Sequence, residues 1–157
     1  MIAALDITDV GTAHRIVQIQ RAAYAVEARL IGFDGIPPLT EDTADVGRRT
    51  DLEWIGYRSG PTLAGVLAWS IVDGVADIDR LAVEPRFARR GVATALLAAL
   101  PVDRTHAVST AEANLPARRL YEHLGFDFVG YADVVQGLTI ARYRRAPAHD
   151  HARRHHH

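Results

Sequence analysis

The stretch from Thr62 to Val83 constrains this chain more than any other. Thr62–Val72 is an almost unbroken apolar run, Asp73-Gly74 follows, and Val75–Val83 leads back. Asp-Gly suits a two-residue hairpin because both positions tolerate the left-handed backbone that such a turn needs. A bulge is expected at Gly65, where a strand interior lacks a side chain. The segment Val92–Leu100 is almost wholly apolar and reads as a helix buried against a sheet, stopped by Pro101.

The remaining elements follow from periodicity and punctuation. Ile2–Ile7 is a candidate first strand. Asp9 then offers an N-cap to a long helix whose apolar face is Ile16, Ile19, Ala23, Val26 and Leu30, ended by Gly32. Gly35 and Pro37-Pro38 mark a loop, and a second helix is expected over about Glu41–Arg49 with Thr40 as its cap. Leu52–Tyr57 reads as a strand with a turn at Ser59-Gly60-Pro61. His106–Thr110 is a further strand, and Leu115–Leu124 a helix with Pro116 in its first turn and Gly125 beyond its end. Phe128–Val135 and Leu138–Arg145 close the chain around Gln136-Gly137. The order β-α-α-β-β-β-α-β-α-β-β gives an α/β (α+β) fold. Its sheet is mixed and mostly antiparallel, with about six or seven strands, about four helices and one βαβ crossover.

The 157 residues suffice for one domain, expected over 1–145. Residues 146–157 are His-rich, lack apolar periodicity and read as a disordered tail or a tag, so His149, His151, His155, His156 and His157 are set aside. The absence of cysteine excludes disulfides, a thiolate zinc site and a cysteine nucleophile. All 18 basic residues are arginine, which excludes Schiff-base chemistry on lysine and a lysine-bearing phosphate loop. A net charge of −1 argues against a broad nucleic-acid face. No apolar run approaches the ~20 residues of a membrane span, and no signal-peptide pattern is visible, so a cytoplasmic protein without a membrane partner is expected. His14, His106 and His123 lack metal-ligand spacing; they are expected to be surface or structural, and no metal is expected.

The chemistry concentrates in the strand-loop-helix stretch Asp79–Leu100. Arg86, Arg89 and Arg90 crowd a short loop after Pro85, and Gly91 opens the helix. A helix start offers unpaired N–H groups, and arginines beside it favour an anion, phosphate being the obvious one; a solvated basic loop is the alternative. Here the chain resembles the GNAT family of acetyl-CoA-dependent N-acetyltransferases, whose phosphate loop reads [Gln/Arg]-x-x-G-x-[Gly/Ala] after a strand ending in V-x-P. Val83-Glu84-Pro85 and Ala88-Arg89-Arg90-Gly91-Val92-Ala93 match, except that Ala88 replaces Gln or Arg. A second element, N-x-x-A-x-x-L-Y-x-x-x-G-F, is filled by Asn114, Ala117, Leu120, Tyr121, Gly125 and Phe126. The resemblance covers about Leu52–Tyr143.

The resemblance implies roles for these positions. Leu81, Ala82 and Val83 would present strand backbone to the pantetheine arm and acetyl carbonyl of acetyl-CoA. Arg89, Arg90, Gly91, Val92, Ala93 and Thr94 would hold the pyrophosphate. Asn114 would bond the pantetheine arm, and Tyr121 would protonate the departing thiolate. The residue types suit the reaction. Fixed N–H groups stabilise an oxyanion, and a tyrosine hydroxyl with pKa about 10 can donate to a thiolate. The amine needs a base. Asp77 and Asp79 share one face of their strand with Leu81 and Val83, at positions where family members often carry an acid or His. Two carboxylates on one face would raise one pKa; alternatively one or both pair with arginines or sit solvated. Another family position for the base is Ser109 here, which cannot serve, and Glu112 falls near a loop.

The acceptor side is expected on the first helix and the loop after it. From Glu27 to Glu53, seven acidic residues (Glu27, Asp34, Glu41, Asp42, Asp45, Asp51 and Glu53) face three arginines. Such a rim would attract a small cationic amine, with Tyr24 and Glu27 one turn apart as candidate contacts; an ordinary solvated helix surface is the alternative. The expected activity is transfer of acetyl from acetyl-CoA to a primary amine by direct attack. The competing expectations are a catalytically silent CoA-binding sensor or interaction module and a nucleotide-binding domain without acyl chemistry. A homodimer is expected from family habit.

Overall fold

The computed structural model describes residues 1–33, 35, 37–135 and 137–147. Asp34, Gln136 and the His-rich tail from Ala148 onward lie outside them, and with them the tail histidines, one member of the acidic set and part of the last turn. Among the described residues seven strands, β1 (Ile2–Ala4), β2 (Glu53–Ser59), β3 (Thr62–Val72), β4 (Val75–Val83), β5 (His106–Ala111), β6 (Asp127–Val135) and β7 (Leu138–Arg145), form one mixed sheet in the order β1-β2-β3-β4-β5-β7-β6, an α+β arrangement with five α-helices where about four were expected. The chain gathers into two compact units, Met1–Ser70 with Asp79–Ala99 and Ile71–Ile78 with the residues from Leu100 onward.

In the first unit, β1 (Ile2–Ala4) pairs antiparallel with β2 (Glu53–Ser59). The strand is shorter than the apolar run Ile2–Ile7 because the Asp6 carboxylate accepts from the Thr8 N–H at 3.0 Å and turns the chain towards the helix. Helix α1 (Val10–Ile31) begins where Asp9 accepts from the Thr12 N–H at 2.9 Å, and ends at Gly32 with φ 71°. Ile16, Ile19 and Tyr24 are buried, yet Val26 and Leu30 are 43% and 50% exposed, so the expected apolar face does not stay covered to its end. Periodicity sets the direction of a stripe but not how far the covering layer runs.

The loop expected at Pro37-Pro38 is instead a single helical turn, α2 (Pro37–Thr40), because proline in a first turn forfeits no needed N–H. The next helix, α3, spans Thr43–Gly47 rather than Glu41–Arg49, and its cap is Asp42 rather than Thr40. The Asp42 and Asp45 carboxylates each accept the other's backbone N–H, at 2.8 and 2.9 Å, and fix the later start. Strand β3 (Thr62–Val72) pairs antiparallel with β2, and the register slips between Tyr57 opposite Gly65 and Arg58 opposite Leu63, one residue from the expected bulge. Gly65 also has a packing reason. A Cβ there would lie 2.8 Å from Val92 Cγ1 and 3.2 Å from the Ala82 carbonyl oxygen. Helix α4 therefore sits directly on this strand. It spans Val92–Ala98, two residues shorter than expected, and buries Val92, Leu96 and Leu97 while Ala98 faces solvent. Alanine counts as apolar yet tolerates exposure, so the all-apolar reading overstated the burial.

In the second unit, Asp73 and Gly74 have φ 51° and 79°, the left-handed pair the hairpin requires. Strand β4 (Val75–Val83) begins here and pairs in parallel with β5 (His106–Ala111), Ala76 opposite His106 and Asp77 opposite Ala107. After α5 (Leu115–His123), β6 (Asp127–Val135) and β7 (Leu138–Arg145) form the closing antiparallel pair, and β5 joins β7 with Val108 opposite Tyr143.

Candidate functional site

The loop that carries the arginines is built from the end of β4. Glu84 donates its N–H to the Ala64 carbonyl at 2.9 Å, and Pro85–Phe87 make one turn of 3-10 helix. The Glu84 carboxylate takes an ion pair from Arg15 on α1 and another from Arg86 at 2.6 Å. Burial disfavours its charge, but the two guanidiniums outweigh that and hold Glu84 below the usual carboxylate range. Phe87 is buried, with Arg86 and Arg90 guanidiniums stacked at 4.6 and 5.7 Å from its ring centre. Arg89 and Gly91 both adopt left-handed backbone, φ 63° and 78°. No side chain caps α4, and its first internal bond runs from the Ala95 N–H to the Gly91 carbonyl at 3.0 Å. The N–H groups of Val92, Ala93 and Thr94 thus have no acceptor within the helix. Apart from its chain neighbours, no described residue comes within 4 Å of where a Gly91 Cβ would stand, so an anion can approach the backbone here. This donor set fits a pyrophosphate, and Ala88 in place of Gln or Arg removes no backbone donor.

Along β4 the side chains alternate, with Ile78, Arg80 and Ala82 buried and Asp77 and Asp79 exposed, as the two-residue period demands. The Tyr24 hydroxyl donates to the Leu81 carbonyl at 3.3 Å, bringing the tyrosine expected on the acceptor side onto the strand expected to hold the thioester. Glu27, one turn on, is half-buried. Asp79 accepts from Arg80 Nε at 2.7 Å and lies 3.5 Å from Arg49 Nη2, the pairing that stood as the alternative for this carboxylate.

Arg80 was not expected at the site. Its charge at an inward position of an alternating strand was the available signal. It is 4% exposed, bonds Gln20 Oε1 at 2.9 Å and the Glu41 carboxylate, and lies 5.2 Å from the Trp54 ring centre. Burial opposes its charge, but the Glu41 and Asp79 carboxylates prevail and raise its pKa. The acidic rim is largely spent on such pairs. Glu41 serves Arg80, Asp42 and Asp45 cap α3, Asp45 also meets Arg48, and Asp51 accepts from Arg49 at 3.0 and 3.1 Å.

The second unit holds the other motif. Asn114 caps α5, its Oδ1 accepting from the Ala117 N–H at 3.2 Å, and its Nδ2 is not part of that cap. Tyr121 is 6% exposed, with its ring edge-on to Phe126 at 5.5 Å and tilted against Tyr143 at 6.1 Å. Ser109 is exposed and Glu112 lies in a turn. His106 is structural: Nε2 meets the Pro101 carbonyl at 2.6 Å, and Nδ1 accepts from Arg145 Nε at 3.1 Å. Burial pushes its pKa down, as does the Arg145 charge, against the Pro101 bond. Among the described residues no group of three or more His, Asp and Glu is arranged to hold a metal ion, and no helix is long and apolar enough to cross a membrane.

Comparison with known proteins gives the family and the fold. Residues 14–126 match the model of the acetyltransferase (GNAT) family. The chain is 34% identical over 151 residues to the UPF0157 protein YqkA of Bacillus subtilis (strain 168), covering 94% of this chain and 44% of that protein, so it spans less than half of that relative. The fold matches the ribosomal-protein-S18-alanine N-acetyltransferase of Escherichia coli with a TM-score of 0.71 at 19% identity, covering 94% of each chain. It matches the PaiA N-acetyltransferase of Thermoplasma acidophilum, solved in complex with coenzyme A, with a TM-score of 0.71 at 15% identity over 93% of this chain and 98% of that one. The chain belongs to the GNAT family of acetyltransferases.

Proposed function

We propose that this chain transfers the acetyl group of acetyl-CoA to a primary amine by direct attack. The observation that carries the reading is the donor set at the start of α4: uncapped N–H groups at Val92, Ala93 and Thr94, left-handed Gly91 with open space beside it, and Arg89 and Arg90 adjacent. In this reading the backbone of Arg89–Thr94 takes the pyrophosphate, with the two arginines adding charge. The backbone of Leu81, Ala82 and Val83 lies along the pantetheine arm, and Asn114 gives it an Nδ2 donor. Acetyl-CoA supplies an activated thioester carbonyl. The amine attacks its carbon, the C–S bond breaks, and the thiolate leaves.

Two protons must move. The Tyr121 hydroxyl gives one to the thiolate. The amine loses the other to Asp79 or Asp77, directly or through water. The Arg80 and Arg49 contacts hold the Asp79 carboxylate in one orientation, as a positioned base requires. The acceptor is a small cationic amine in this reading. Support comes from the exposed carboxylates of Asp77 and Asp79 and from Tyr24 against Leu81, with Glu27 beside it. The paired carboxylates of Glu41, Asp42, Asp45 and Asp51 lend it little.

The test is calorimetry with CoA on the unmodified protein and on Gly91→Val. Valine strains the left-handed backbone and fills the space beside it, and affinity is expected to fall at least about tenfold, or about 1.4 kcal/mol. Equal affinity in a folded variant would refute the phosphate assignment.

A further inference from the structure

Five hydrogen bonds from α1 and β4 converge on one short segment of the first unit. Gln20 Nε2 donates to the Pro38 carbonyl at 3.4 Å and to Glu41 Oε1 at 3.1 Å. Arg21 Nη2 donates to the Glu41 carbonyl at 3.3 Å. The Arg80 guanidinium closes on the Glu41 carboxylate with Nη1 and Nη2 while its Nε holds Asp79. Gln20 and Arg80 are 0% and 4% exposed, so this is an interior network rather than a surface pair.

We propose that Arg80 is a positioning residue for the acceptor: by latching Glu41 it fixes the segment Pro37–Asp42 on β4, and by its Nε it fixes the Asp79 carboxylate. The inference rests on the acetyl-transfer reading for its acceptor half. Three physical points carry it. A buried guanidinium is costly unless its donors are met, and here Gln20, Glu41 and Asp79 meet them with the fork geometry that arginine alone provides. An apolar residue would fill the same interior position at less cost in desolvation, so the arginine is better explained by what it ties together than by stability. The tied parts are also the expected acceptor-side elements. Gln20 lies one turn before Tyr24 on α1, and Tyr24 bonds the Leu81 carbonyl next to Arg80. Neither Arg80 nor Glu41 belongs to the Arg89–Thr94 loop or to the Leu81–Val83 backbone assigned to the pantetheine arm, so loosening the latch is expected to leave CoA binding in place.

The experiment compares the unmodified protein with Glu41→Gln, Arg80→Lys and the double variant Arg80→Met, Glu41→Leu. The double variant replaces the buried pair with apolar side chains and keeps the protein folded if the single changes do not. Hydrogen exchange is read over residues 37–47, whose Asp42, Asp45 and Val46 amides are bonded in the capped helix. Acetylation kinetics are measured with spermidine, tyramine, glycinamide and an alanine-terminated peptide. In all variants exchange over 37–47 is expected to quicken while α4 stays protected. Acceptor KM rises about tenfold in Glu41→Gln and in the double variant and less in Arg80→Lys, with CoA affinity within about twofold; kcat changes less than KM in Glu41→Gln, which keeps the Arg80–Asp79 bond, and falls together with the rise in KM in the double variant, which loses it. Unchanged exchange would overturn the latch. Faster exchange with unchanged KM, or a parallel loss of CoA affinity, would overturn the positioning role. If the unmodified protein acetylates none of the amines, the acetyl-transfer reading and the acceptor half fall together, and the exchange data still decide the latch.

Discussion

Gly65→Ala probes how the fold holds the start of α4. The added Cβ would stand 2.8 Å from Val92 Cγ1, 3.2 Å from the Ala82 carbonyl oxygen and 3.3 Å from Leu96 Cδ1. The first distance is far inside van der Waals contact, and two of the three neighbours are α4 side chains. The least costly response is for the first turn of α4 to lift from β3 by a few tenths of an ångström. Overpacking of this kind costs about 1–3 kcal/mol, which for a chain of this length lowers the melting temperature by about 2–12 °C. Val92 also carries one of the N–H groups assigned to the pyrophosphate, so CoA affinity should fall by about three- to tenfold through lost alignment. Thermal melts and calorimetry with CoA measure both. Gly11→Ala is the control, because its Cβ meets only Asp9 Oδ2, at an ordinary 3.5 Å. A Gly65→Ala protein with unchanged melting and unchanged CoA affinity would refute the claim that this glycine seats the helix.

Tyr121→Phe keeps the ring packed against Phe126 and Tyr143 and removes only the hydroxyl, so turnover should drop about 10²–10⁴-fold at unchanged CoA affinity, read by steady-state kinetics. Asp79→Asn should flatten or displace the acid limb of the rate–pH profile if Asp79 is the base, with Asp77→Asn doing so if the role is its own; neither should alter CoA binding. Burial lowers the His106 pKa in the folded protein below its ordinary value of about 6.5. The unfolded chain then binds this proton more readily, so the contribution is fully present above about pH 6.5 and is lost as pH falls from there towards the folded pKa. Melting temperatures between pH 8 and 5 should fall on the acid side, and His106→Gln should shrink that fall.

Much of the fold was legible because its signals are local. Asp73-Gly74 carries its own turn geometry, and Asp9 with Thr12 and Gly32 bracket α1 within a few residues of its ends. The late start of α3 was not, since Thr40 is itself a capping residue type and only the reciprocal Asp42–Asp45 bonds of the folded chain move the start to Asp42. Glu41 points at Arg80, 39 positions away, and Glu84 meets Arg15 across 69 positions. No spacing rule reaches such partners. The same limit applies at the candidate site. The loop and the Asn114–Phe126 motif were legible as patterns. The charge count over Glu27–Glu53 could not show that its carboxylates are used in caps and ion pairs. Gly65 was legible as an irregularity, but the helix lying on it was not, because that contact exists only once α4 is packed.

Amine-dependent thiol release tests the central claim most directly. Purified protein is mixed with acetyl-CoA and each amine of the panel, free thiol is followed in time, and the amine is weighed by mass spectrometry. Thiol release that requires an amine, matched by an equal amount of singly acetylated amine and lost at limiting acetyl-CoA in Gly91→Val, is the expected result. Binding of acetyl-CoA without amine-dependent release, or release without an acetylated amine, would contradict it.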